Sequence, residues 1–246
     1  MSVVTATREY FLRAGDETLA CSLDDAGESP PSVFCLHGGG DTHRHTVAYL
    51  SPVFRELGHT VVRFDFSGQG DSTGEMNRSS LQKRYQEAAA VLNHFGPGRR
   101  LVVVATSMAG AVAARLAVEF PVTDLILFCP AAYSRRAWNL EFGAGFTGII
   151  REEDSFLETE AGELLKSYRG NALHVLGTDD RIIPPGVTQL FLSSLAACRR
   201  LDTVVLEDCP HPIHRWAEKH PAVRERIRNH VRDFLVPPQT ADRSPR

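Results

Sequence analysis

From residue 33 onward the chain alternates short apolar runs with longer amphipathic stretches. The runs Val33–Leu36, Thr60–Phe64, Leu101–Ala105, Leu125–Phe128, Ala172–Leu176 and Thr203–Leu206 are mostly continuous rather than alternating in apolarity. That is the signature of strands covered on both faces. Between them Val47–Leu57, Leu81–Phe95, Met108–Glu119, Val187–Ala197 and Pro221–Leu235 have helical spacing or composition. Strand, helix and strand repeated with right-handed crossovers predict an α/β fold built on a doubly wound, mostly parallel sheet. The first residues differ: Glu9–Ala14 and Thr18–Leu23 are short β-prone runs on either side of Gly15-Asp16-Glu17, which predicts an N-terminal antiparallel hairpin.

Residues 131–171 break the rhythm. They mix Trp138, Phe142 and Phe146 with Gly143, Gly145 and Gly148 before turning acidic at Glu152-Glu153-Asp154, and an irregular stretch of that length usually serves function. Residues 1–236 are expected to form a single domain carrying this insertion, and 237–246, polar with three prolines, a flexible tail.

Composition narrows the function. A chain of 246 residues, 43% of them hydrophobic, can bury a substantial core. Its 30 acidic and 27 basic side chains are interspersed, so no basic face is present to suit nucleic acid. No apolar run is long enough for a membrane span, and the first residues lack the features of a secretory leader. The five cysteines form no CxxC pair, which predicts reduced side chains in a cytoplasmic protein.

Candidate chemistry gathers where strand runs end. Ala105-Thr106-Ser107-Met108-Ala109-Gly110 joins an apolar strand to an alanine-rich helix. A nucleophilic serine on so sharp a turn needs small residues two before and two after it, or side chains collide with the neighbouring strand and helix. Ala105 and Ala109 meet that need, although glycine is usual at both places; the plainer reading is a serine that caps the helix. Upstream, His37-Gly38-Gly39-Gly40 closes another strand with unhindered backbone. The N–H groups of Gly39 and Met108 are the candidate oxyanion donors, unless the glycines only make a tight turn. His37 is expected to brace this loop. His43 and His45 follow it closely enough to be candidates for substrate contact.

Together, His37-Gly38-Gly39, the segment Phe64-Asp65-Phe66-Ser67-Gly68-Gln69-Gly70-Asp71-Ser72-Thr73-Gly74 and the turn at Ser107 occur in the order of the α/β-hydrolase superfamily, which the sequence resembles over almost its whole length. Asp65–Gly74 is similar to the D-x-x-G-x-G-x-S loop of feruloyl-esterase-like and monoacylglycerol-lipase-like members. The resemblance implies a nucleophilic serine followed along the chain by an acid and then a histidine. The family pattern G-x-x-D-x-x-x-P falls on Gly177–Pro184 and points to Asp180, with the adjacent Asp179 as alternative. Counting from the strand end at Leu206 the histidine is His211, the expected base; counting back from Pro221 it is His214, the alternative. A metal site on this HxxH pair is disfavoured, because no third ligand follows at suitable spacing.

The expected activity is therefore hydrolysis of a small-molecule carboxylic ester of a small or medium acyl group, through an acyl-enzyme and without metal or organic cofactor. The fold also carries thioesterases of biosynthetic pathways and non-catalytic binding proteins, which are the alternatives. By the same resemblance residues 131–171 correspond to a short cap. Its aromatics Trp138, Phe142 and Phe146 either fill the cap core or face the serine, and Arg135-Arg136 could meet a carboxylate or phosphopantetheine.

Overall fold

The computed structural model describes residues 7–27 and 30–236; the tail expected at 237–246 lies outside the described residues. Eight strands form one sheet: β1 (Thr7–Ala14), β2 (Glu17–Asp24), β3 (Val33–Leu36), β4 (Val61–Phe64), β5 (Val102–Thr106), β6 (Asp124–Phe128), β7 (Asn171–Asp179) and β8 (Arg200–Pro210). Their spatial order is β1-β2-β4-β3-β5-β6-β7-β8. The first two make the expected hairpin, with Ala14 opposite Glu17 across the turn. β2 pairs antiparallel with β4, and every pairing from β4 through β3 to β8 is parallel.

Helices α1 (Ser51–Glu56), α2 (Leu81–Phe95), α3 (Ala109–Glu119), α4 (Thr147–Ile150), α5 (Ala161–Lys166), α6 (Pro185–Ser194), α7 (Ile213–Lys219) and α8 (Pro221–Leu235) occupy the connections. The central strands are apolar without interruption because both faces are covered. Phe34, Leu36, Phe64, Val103, Ala105 and Leu125 pack in one cluster with α2, α3 and α6. Val33, Cys35, Val61, Val102, Val104, Ile126 and Phe128 pack in a second with α1 and α8. Eight of the eleven residues of α3 are buried, and its small side chains let it lie close to the sheet. At its start a Cβ on Gly110 would stand 2.5 Å from Pro130 Cβ, closer than such atoms approach.

Several boundaries differ from the sequence pattern for local reasons. The helix expected over Val47–Leu57 is a 3-10 turn over Arg44–Leu50 followed by α1; Pro52 cannot donate back to Ala48 and so sits where an α-helix begins rather than continues. Outermost β8 exposes Thr203, Val205 and Glu207 while burying Val204 and Leu206, so only its middle reads as an apolar run. Helix α7 was not expected at all. Residues 131–170 fold into short helical pieces, including a π-type turn at Phe142–Phe146 kinked where Gly145 takes φ 87°. Among the described residues no helix is long and apolar enough to cross a membrane.

Candidate active site

Six parallel strands end side by side, and the residue directly after each last strand position carries a polar side chain or a thiol: His37 after β3, Asp65 after β4, Ser107 after β5, Cys129 after β6, Asp180 after β7 and His211 after β8. The carboxyl edge of an open parallel sheet is where such folds place ligands.

Ser107 sits between β5 and α3 with φ 52°, a left-handed backbone that costs a non-glycine residue roughly 1–2 kcal/mol. The turn is locked from both sides. Ser107 N–H donates to the Phe128 carbonyl at 2.9 Å, while its own carbonyl accepts from Gly110 at 2.8 Å and Ala131 at 2.9 Å. The hydroxyl is thereby lifted clear of both strand and helix. Ala105 and Ala109 are both buried, as the steric reading of the turn requires.

His211 Nε2 lies 2.9 Å from Ser107 Oγ and its Nδ1 lies 2.8 Å from Asp180 Oδ2. A register shift in the β7–β8 pairing beyond Gly177 leaves Asp179 opposite Pro210, so the next residues, Asp180 and His211, stand next to each other. Asp180 Oδ1 also accepts from the amides of Ile182 at 2.8 Å and Ile183 at 3.0 Å. Burial alone would raise the pKa of Asp180, but the hydrogen bonds from His211 and these two amides outweigh it and hold the carboxyl below its ordinary value. A charged carboxylate accepting from Nδ1–H leaves the Nε2 lone pair facing the serine.

The two alternatives are drawn elsewhere. His214 is buried, with Nε2 2.9 Å from Thr106 Oγ1 and Nδ1 3.1 Å from the Tyr49 hydroxyl, and burial lowers its pKa to about 3. It supports the cavity floor as a neutral ring. Asp179 is half exposed and pairs with Arg181 at 2.9 Å.

On the opposite side of the serine, Gly38 lies so close that a Cβ there would stand 3.3 Å from Ser107 Cβ. Gly39 packs against the Met108 side chain. The N–H groups of Gly39 and Met108 take no part in the hydrogen bonds that described residues form between turns and elements. His37 Nε2 accepts from the Phe66 amide at 3.0 Å and Nδ1 donates to the Gly38 carbonyl at 2.9 Å; burial, aided by the Arg84 charge, lowers its pKa to about 3. It braces the loop without ionising.

A residue not singled out from the sequence holds this loop more firmly. Gln69 Nε2 donates to the carbonyls of Gly40 at 2.6 Å and Thr42 at 3.1 Å, and its Oε1 accepts from the fully buried Arg84. Gln69 thus ties the glycine run to the D-x-x-G-x-G segment and to α2. Asp65 anchors the start of the same D-x-x-G-x-G segment by accepting from the Arg44 side chain and from the Asp71 amide at 2.9 Å. The sequence signal was there: a glutamine between two glycines in the motif loop. Its partners, however, come from a different strand end.

The cavity at Ser107 has a volume of about 210 Å3 and is bounded by the glycine loop, Thr46, Val47, Pro212, Ile213, His214 and Arg215. Arg215 meets Asp41 at 2.6 Å beside it. The cap aromatics do not line it. Phe146 is buried against Phe142 and Tyr133, and Trp138 donates to Gln82 at 2.6 Å beneath the Arg115 guanidinium. Arg135 and Arg136 are spent within the cap on Glu163 at 2.8 Å and Glu152 at 2.7 Å. His43 caps the 3-10 turn and His45 leans on Arg63, so neither lines the cavity.

Residues 33–170, more than half of the chain, match the alpha/beta hydrolase family. No curated protein matches in sequence. Among solved structures, an esterase from Pyrococcus furiosus superposes with a TM-score of 0.70 at 20% identity, covering 94% of this chain and 92% of that one. A hydrolase from Pseudomonas aeruginosa gives 0.70 at 19% identity, covering 94% and 99%. The thioesterase domain of the curacin biosynthetic pathway gives 0.66 at 18% identity, covering 89% and 99%. At such identities the likeness is one of fold.

Proposed function

The chain belongs to the alpha/beta hydrolase family, and on that premise we propose that it hydrolyses carboxylic esters of small or medium acyl groups through an acyl-enzyme on Ser107. The observation that carries this reading is the unbroken series from Ser107 Oγ through His211 at 2.9 Å to Asp180 at 2.8 Å. His211 Nε2 takes the hydroxyl proton as the serine oxygen attacks the ester carbonyl. The carbonyl electrons move onto oxygen, where Gly39 and Met108 N–H groups hold the negative charge. Collapse expels the alcohol, which takes the proton from His211. Water then attacks the acyl-enzyme by the same route and releases the acid, while Asp180 keeps Nδ1 protonated throughout.

Acyl size follows from the cavity. About 210 Å3 beside Val47 and Ile213 is smaller than a drug-sized pocket of roughly 300–1,000 Å3, which favours short chains. The free, mostly buried cysteines suit a reducing cytoplasm. The fold likeness to a thioesterase domain supports a second reading, acyl transfer from a thioester to water. Comparing kcat/KM for a butyryl oxygen ester and a butyryl thioester separates the two. Ser107→Ala is expected to lower kcat/KM on p-nitrophenyl butyrate by about 10⁴-fold or more and to abolish labelling by a fluorophosphonate. Undiminished turnover in that variant sinks the assignment, and a natural chain that neither turns over nor labels is a non-catalytic binding protein.

A further inference from the structure

We propose that the ends of β6, β7 and β8 form a binding site for Zn2+ or a similarly soft divalent cation, and that filling it switches off His211 as a base. The binding stands on geometry alone; only its effect on turnover rests on the hydrolase reading above. A sulfur, a carboxylate oxygen and a ring nitrogen, one each from Cys129, Asp180 and His211, all lie within 4.8 Å of one another. Bond lengths of about 2.0–2.3 Å on a tetrahedral zinc separate its ligands by roughly 3.3–3.7 Å, so small side-chain rotations bring the three into range.

Their position is a consequence of the sheet. Three neighbouring parallel strands each release one ligand at the first residue past their end, and adjacent strands are held side by side by the pairings Phe128 with Val175 and Asp179 with Pro210. Cys129 is fixed in place: it takes φ 38°, its N–H donates to the Val175 carbonyl at 2.8 Å, and its thiol donates to the His211 carbonyl at 3.4 Å. A thiol this rigid and this close has no part in ester hydrolysis as described.

The donor set selects the ion. Thiolate and imidazole suit zinc, whereas Mg2+ and Ca2+ prefer oxygen ligands. One thiolate and one carboxylate cancel a charge of two, which a largely buried site requires. Burial holds the Cys129 thiol well above its ordinary pKa, so in the metal-free chain it is protonated. Metal binding releases that one proton to solvent as the Zn–S bond forms. Zinc takes the Nδ1 lone pair of His211, and the proton Nδ1 carried moves to Nε2, so the ring stays neutral and its proton count is unchanged. Nε2 then donates to Ser107 instead of accepting from it, and the serine loses its base while the cavity stays open. Zinc therefore lowers kcat and leaves KM in place.

The test uses the full chain, with Co2+ as a spectroscopic probe and Zn2+ as the inhibitor. One equivalent of Co2+ is expected to raise a near-ultraviolet thiolate-to-cobalt band that Zn2+ abolishes, and the band is expected to vanish in both Cys129→Ala and Cys129→Ser. Metal-free Cys129→Ala is expected to keep its ester hydrolysis, with the half-inhibiting Zn2+ concentration raised at least about tenfold; Mg2+ is expected to leave the natural chain active. The same band or zinc sensitivity in both Cys129 variants, equal inhibition by Mg2+, or no cobalt band at all would overturn the site. Because the band needs no substrate, a chain that shows it without esterase activity refutes the ester-hydrolysis reading and retains the metal site, and esterase activity without the band does the reverse.

Discussion

Gln69 shows how a single side chain can tie two strand-end loops to a helix. Its amide N–H group is committed to the carbonyls of Gly40 and Thr42, and its carbonyl to buried Arg84. Gln69→Glu keeps the partner for Arg84 but turns two donated hydrogen bonds into contacts between a carboxylate and carbonyl oxygens. The glycine loop is then expected to shift and to carry the Gly39 N–H, the proposed oxyanion donor, out of position. Loss of an oxyanion donor costs about 10²–10³ in rate, so Gln69→Glu is expected to lower kcat by roughly 10–10³-fold with KM little changed, as measured by steady-state kinetics on p-nitrophenyl acetate. Unaltered kcat would show that the loop holds its shape without Gln69. At this scale the sequence was partly legible. Small residues around Ser107 and the Gly177–Pro184 pattern marked the strand ends, whereas the choice between His211 and His214 depended on the β7–β8 register shift and the course of α7, neither of which local spacing encodes. Cys129 directly follows the apolar run Leu125–Phe128, and nothing in the sequence around it marks it out.

The same limit holds at the scale of elements. Strands in the middle of the sheet are legible because two packed faces demand continuous apolarity. Of outermost β8 only the middle, Thr203–Leu206, was legible, since alternate side chains from Thr203 to Glu207 face solvent. Residues 131–170 were recognisable as an insertion by broken periodicity, but which way their aromatics point depends on α2, against which they pack. Their inward packing separates stability from specificity. Phe146→Ala removes a buried ring between Phe142 and Tyr133 and is expected to destabilise the chain by about 3 kcal/mol, seen in thermal or urea unfolding, without changing the ratio of kcat/KM between hexanoate and acetate esters. Val47 lines the cavity and is almost fully buried. Val47→Ala enlarges the space beside the serine, and because each methylene accommodated is worth about 1–3 kcal/mol, that ratio is expected to rise roughly tenfold. A reversed result, with the cap variant changing chain-length preference and Val47→Ala leaving it alone, would move the acyl site under the cap.

Taken as a whole, the molecule keeps three histidines neutral in its interior, and that dictates how it responds to acid. His37 and His214 lie along the carboxyl edge of the sheet, with pKa values lowered to about 3 by burial, in His37 aided by the Arg84 charge. His174 is buried within β7, its pKa lowered to about 4 by burial, and neither ring nitrogen has a hydrogen-bond partner among the described residues. In the unfolded chain each would take up a proton near its ordinary value of 6.5. Between about pH 6.5 and 4 the unfolded state therefore binds more protons than the folded one, and stability falls as pH falls. Carboxylates held low in the fold, such as Asp24 and Asp124, have an ordinary value of 3.8 and begin to cost stability only at more acidic pH, so the decline starts well before carboxylates alone would set it. With its pKa lowered to about 4, His174 contributes on the order of 3 kcal/mol to that decline. His174→Leu removes both the titration and two unsatisfied buried nitrogens in similar volume. It is expected to raise stability at pH 7 by about 1–2 kcal/mol and to flatten the slope of unfolding free energy against pH between 6.5 and 4, measured by urea denaturation at fixed pH values. An unchanged slope in His174→Leu would mean that His174 takes up its proton equally in both states, and that the acid response resides in the strand-end histidines.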